Sequence, residues 1–122
     1  MTSSGSAYAR LRRALDGGDH LHALSAAAEL PHVGLVEALE LCLLLLEREP
    51  PRFGRAAVRW HGRYCRDAAA GLDDAQAVLA CLAALPGPRG REAGRALAEL
   101  VTQRGLERAG EVLNRWAETG RG

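Results

Sequence analysis

The chain predicts an all-α fold, and three observations in its sequence carry that expectation. Apolar residues fill 48% of the 122 positions, yet aromatics reach only 4% and isoleucine is absent. The apolar content is therefore chiefly Ala and Leu, which favour helix over the β-branched and aromatic residues that strands prefer. Apolar residues recur at the helical spacing of three and four, and Asp16-Gly17-Gly18, Pro31, Pro50-Pro51, Gly71, Pro86-Gly87-Pro88 and Gly105 cut the chain into seven segments. One domain of short antiparallel helices is expected, since a chain of this size buries about two-thirds of the surface it exposes when unfolded.

Residues 1–5 are small and polar and are expected to be disordered, with 119–122 frayed, which leaves 6–118 as the domain. Ser6 is placed to cap a helix over Ala7 to Leu15, whose Tyr8, Leu11 and Leu15 share a face. Asp16-Gly17-Gly18 ends it. Asp19 then caps a second helix with Leu21, Leu24 and Ala28 on one side, and Pro31 stops it.

The stretch from Val33 to Arg48 organises the rest. Eleven of its first fourteen residues are Val, Leu, Ala or Cys. At about 100° per residue, Glu37, Glu40, Glu47 and Arg48 fall on one narrow arc and every other direction is apolar. Such a helix needs cover on most sides. Its apolar run is shorter than the roughly 20 residues that cross a bilayer, so protein is the expected cover. Pro50-Pro51 halts it; a fourth helix, about 52–69, ends at Gly71; Asp73 or Asp74 opens a fifth carrying Val78, Leu79, Leu82 and Leu85. A sixth, about 91–103, and a seventh, 107–118, are parted by Gly105.

Stacking the odd-numbered helices brings out a repeat. Gly34-Leu35-x-x-Ala38, Gly71-Leu72-x-x-Ala75 and Gly105-Leu106-x-x-Ala109 recur at spacings of 37 and 34, each followed three residues later by Leu41, Val78 or Val112. Here Gly is expected to break the preceding helix, Leu to staple the turn, and Ala to admit a close neighbour. The period resembles the helical-hairpin repeats of the tetratricopeptide and HEAT type over roughly 19–118. Ala38, Ala75, Ala109 and Pro50 match that pattern, whereas its first-helix Trp, Leu-Gly and Tyr are missing. The resemblance implies stacked hairpins; a compact bundle of three hairpins remains open beside it. The runs ELPHVGLVEALELCLLLLEREP and RAAVRWHGRYC look like those of small actinobacterial proteins, which implies a source and no activity.

Charge narrows the function classes. All sixteen basic residues are Arg, and the net charge is +1, so bulk electrostatics points to neither nucleic acid nor membrane. The Arg bias itself fits a GC-rich genome. Cys42, Cys65 and Cys81, an odd number at apolar helical positions, read as free thiols in a reducing compartment. The opening MTSSGSAYARLRR lacks the apolar stretch of a signal peptide, so a cytoplasmic location is expected.

The most distinctive feature is the fourth helix. Arg52, Arg55, Arg59, Arg63 and Arg66 are spaced 3, 4, 4 and 3 apart and line one stripe within roughly 80° of arc. Ala57, Val58, His61, Cys65 and Ala68 are expected to face the core, with Trp60 and Tyr64 on the shoulder. Residues 52–66 carry a net +5 between 17–51 at −5 and 67–88 at −3, so neighbouring arginines repel one another unless something offsets them. Three partners can do so: the chain's own Glu37, Glu40 and Glu47; an acidic protein, anchored by Arg and the aromatic pair; or the phosphate backbone of nucleic acid, with Trp60 and Tyr64 stacking on bases.

Other chemistry has less support. His61 and Cys65 stand at i, i+4, but without C-x-x-C or H-E-x-x-H no metal site is expected, and a histidine satisfied by backbone is the simpler reading. The same pair lacks a nucleophile elbow, so no catalytic residue is assigned. His20, His22 and His32 read as cap or surface groups, Asp73-Asp74 as complements of a helix dipole, and Trp116 as a core plug or a homodimer anchor. The sequence therefore predicts a non-enzymatic interaction module without cofactor, binding an acidic protein through Arg52, Arg55, Arg59, Trp60, Arg63, Tyr64 and Arg66. Nucleic acid on the same stripe is the alternative.

Overall fold

The structure is a computed structural model and describes residues 3–119. Among those residues every regular element is helical: α1 (Ser3–Asp16), α2 (His20–Ala28), α3 (Leu35–Arg48), α4 (Phe53–Asp67), α5 (Leu72–Ala84), α6 (Gly90–Gln103) and α7 (Glu107–Thr119), with one 3-10 turn at Pro50–Arg52. The first helix starts ahead of Ser6, the expected cap. The expected disorder at 1–2 and fraying at 120–122 fall outside the described residues.

Consecutive helices pack on one another, and α3 is the hub, touching α1, α2, α4 and α7. The contact of α7 with α3 closes the chain on itself, which makes the fold a compact bundle. Asp19 caps α2 by accepting from His22 N at 3.2 Å, and its carboxyl is held low, first by the hydrogen bond with the His22 ring. Glu37 in the first turn and Arg48 in the last complement the dipole of α3, and Pro50 follows it at once.

Two apolar cores result. The larger joins α3 to α7 around Leu39, Leu43, Trp60, Tyr64, Val78, Leu82, Leu97, Val101 and Leu113. The smaller, Leu11, Ala14, Ala23 and Ala26, seats the α1–α2 hairpin on α3. Around Leu11, small residues carry most of the interface: Ala7 and Ala23 are fully buried, while Leu21 is exposed and Tyr8, partly in solvent, turns its hydroxyl to Glu37. Leu79 is likewise exposed, although Val78, Leu82 and Leu85 are buried as expected.

The G-L-x-x-A segments do lie at the starts of α3, α5 and α7. In the first two, the motif Ala donates to the motif Gly carbonyl at 2.9 Å, opening the helix. Gly34 and Gly71 are extended caps, a conformation open to any residue, and only Gly105 uses the left-handed region, at φ 86°. Leu72 is exposed and staples nothing. Close approach matters instead at α6 and α7, where a Cβ on Gly94 would sit 3.0 Å from the Trp116 ring and one on Gly110 would meet Thr102 Oγ1.

Candidate functional site

The position of α4 follows from its aromatic residues. Its buried positions are Phe53, Ala57, Trp60 and Tyr64, so the helix is rotated relative to the phase the sequence predicts. Val58, expected in the core, is 64% exposed. Aromatic rings bury the most area, and each of these two also finds a polar partner inside. Trp60 Nε1 donates to the Leu35 carbonyl at 2.9 Å, and the Tyr64 hydroxyl donates to Asp74 at 2.7 Å. Burial, and then that hydrogen bond, raise the Tyr64 phenol above its ordinary value. The rings stack with centroids 5.5 Å apart. Trp60 and Tyr64 are therefore withdrawn as contact residues: they clamp α4 to the starts of α3 and α5.

With the aromatics inside, the arginines face out. Arg52, Arg55, Arg59 and Arg66 are exposed and Arg63 is half-buried. Arg52 lies 3.3 Å from Glu49. Among the described residues, Arg55, Arg59, Arg63 and Arg66 have no carboxylate within salt-bridge distance. Two acids of α3, Glu37 and Glu40, are engaged elsewhere. Glu40 meets Arg12 at 2.8 Å; the buried Glu37 accepts from Tyr8 at 3.1 Å and has Arg108 at 3.6 Å. Internal neutralisation by Glu37 and Glu40 is thus spent on α1 and α7. No local pattern signals this pairing, because Arg12 and Arg108 are far from α3 along the chain.

One side of α4 also borders a groove. Helices α2 and α4 both pack on α3 but not on each other, so a groove runs over α3 between them. The groove, of about 550 Å³, has Ala38, Leu41, Cys42 and Leu45 on its floor. Leu24, Ala27, Leu30 and Val33 form one wall; Ala56, Arg59, Arg63 and Arg66 form the other. Arg63 Nη2 is sealed from solvent there without a hydrogen-bond partner among the described residues. An orphaned donor of this kind costs about 1–3 kcal/mol. The apolar circumference of the Val33 to Arg48 stretch, too wide to be covered by its neighbours, was the available signal for such a groove.

The remaining candidates resolve into structural roles. His61 Nε2 lies 2.7 Å from the Ala75 carbonyl, and since a carbonyl only accepts, that nitrogen carries the proton. Cys65 Sγ is 3.6 Å from the same ring, and no third side chain joins them among the described residues. Burial pushes the Cys42 thiol up to about 12 and the Cys81 thiol upward too, the reverse of nucleophile activation. His20 pairs with Glu49 at 3.1 Å. No helix among the described residues is long and apolar enough to cross a membrane. No protein-family model matches the chain, and no curated protein or solved structure matches it either.

Proposed function

We propose that this chain is a non-enzymatic helical interaction module, a small adaptor or regulator that engages an acidic protein through the basic face of α4. The observation that carries this reading is the set of Arg55, Arg59 and Arg66, exposed and without an ion pair among the described residues, beside a helix whose Glu40 and Glu37 are already met by Arg12 and Arg108. Guanidinium groups lined up one helical turn apart repel until a negatively charged surface meets them. Burial of Trp60 and Tyr64 removes the stacking platform a nucleic-acid strand would use, which favours a protein partner.

The test is the triple substitution Arg55→Glu, Arg59→Glu and Arg66→Glu on the immobilised chain. Loss of a captured acidic protein with an unchanged melting temperature supports the reading. Retention of every captured protein sinks it, as does salt-sensitive binding of a random DNA duplex with no protein captured, which would pass the stripe to nucleic acid.

A further inference from the structure

The groove beside α4 has features that the basic face alone does not require. Its floor is a strip of α3 between α2 and α4, where Leu24, Leu30, Val33 and Leu41 are half-buried and Cys42 and Leu45 lie buried beneath them. The half-buried side chains are apolar surface that a partner can still cover. Above that floor stand three arginines on one wall, with Asp67 the lone acid of the lining. Arg59, Arg63 and Arg66 follow one another at one-turn intervals, so carboxylates spaced i, i+4, i+7 on an opposing helix come into register with them. From Ala56 to Asp67 the wall runs eleven residues, about 17 Å at 1.5 Å each, which matches roughly three turns of a guest helix.

We infer that this groove seats an acidic amphipathic helix of the partner protein, its apolar face on α3 between α2 and α4 and its carboxylates against Arg59, Arg63 and Arg66. The inference rests on the reading of the chain as an interaction module and adds where and how the partner sits. An amphipathic helix laid in an apolar groove is a recurrent mode of peptide recognition. Arg63 supplies specificity: its guanidinium is half-buried, with Nη2 lacking a hydrogen-bond partner among the described residues, and a guest carboxylate meeting the exposed part of the side chain adds a charge-assisted bond, the stronger kind. Arg52 and Arg55 lie outside the groove lining, which separates this contact from attraction to the basic face as a whole.

The probe is a fluorescent peptide of about 18 residues, five helical turns, with Leu at i, i+3, i+4 and i+7 and Glu on the flanks. A scrambled peptide of the same composition and polyglutamate are the controls, at about 50 mM salt to limit screening. The amphipathic peptide is expected to bind about tenfold more tightly than the scrambled one; Arg63→Met removes about tenfold, whereas Arg55→Ala, on the basic face but outside the groove, costs about threefold. Melting curves show that Arg63→Met is folded, since it deletes an unpartnered nitrogen, and slowed amide exchange over Ala38 to Leu45 reports the guest on the floor. Equal binding of ordered and scrambled peptides, or equal losses from Arg55→Ala and Arg63→Met, overturns the groove and leaves the basic-face function standing. No binding of any of the three probes overturns both.

Discussion

Ala69 holds φ at 51°, a left-handed conformation that costs a residue with a Cβ about 1–2 kcal/mol. It is the residue that turns the chain out of α4, where the sequence points instead to Gly71. Local chemistry made Gly71 the natural choice. What displaces the turn is Arg104, thirty-five residues away, whose Nη2 donates to the Ala68 and Ala69 carbonyls at 2.5 and 3.1 Å and whose Nε lies 3.6 Å from Asp74. Ala69→Gly is expected to stabilise the protein by about 1 kcal/mol, read from the denaturant midpoint; a loss would mean that the left-handed turn does not exist. Gly54 and Gly62 test the opposite situation, since a Cβ at either meets nothing within 4 Å. Each Gly→Ala change should add about 0.4–1 kcal/mol through the unfolded chain. If either destabilises, the exposed side of α4 is covered in the free protein.

The seven helices were legible in the sequence because Gly and Pro punctuate it so densely. The faces were less so. Counting large apolar residues assigns Tyr8, Leu21 and Val58 to the interior, yet all three are exposed, because α1 and α2 meet through Ala7, Ala14, Ala23 and Ala26 and α4 through its aromatics. Alanine pattern carries little phase in a chain this rich in alanine. The Arg stripe was legible since its spacing fixes a face whichever way the helix turns, whereas the pairing of Glu37 and Glu40 with α1 needs tertiary structure. That pairing gives a prediction with a sign. Burial raises the Glu40 carboxyl above 4.5 while Arg12 opposes the rise, so the ionised form is the less stable one inside the fold: its stability is greatest below 4.5 and falls as pH climbs through the raised folded value. Arg12→Ala removes the opposing cation. The variant should lose about 1–2 kcal/mol near neutral pH, discounted for the partial exposure of Arg12, and the gap to the parent should narrow on acidification. A gap that widens toward low pH would refute it.

At the scale of the molecule, the division into two cores predicts unequal local stability. The repeat resemblance implied like hairpins stacked over roughly 19–118, and a compact bundle of three hairpins stood open beside it. In the structure the α1–α2 hairpin buries Leu11 and four alanines, whereas α3 to α7 share a core that includes Phe53, Trp60, Tyr64 and nine leucines or valines around them and are closed by α7 returning to α3. Hydrophobic stabilisation scales with the apolar area removed from water, so the hairpin contributes the smaller share per residue. Beyond that small core its tethers to the rest are polar: Arg12 to Glu40, Tyr8 to Glu37 and His20 to Glu49. Native-state hydrogen exchange is therefore expected to show α1 and α2 opening at a lower free energy than α3 and α6, with the two groups converging only when denaturant unfolds the whole chain. Because α2 forms one wall of the groove, a guest helix should raise protection in α2 more than in α6. A single common opening energy for all seven helices, with or without guest, would show that the hairpin and the main core unfold as one body.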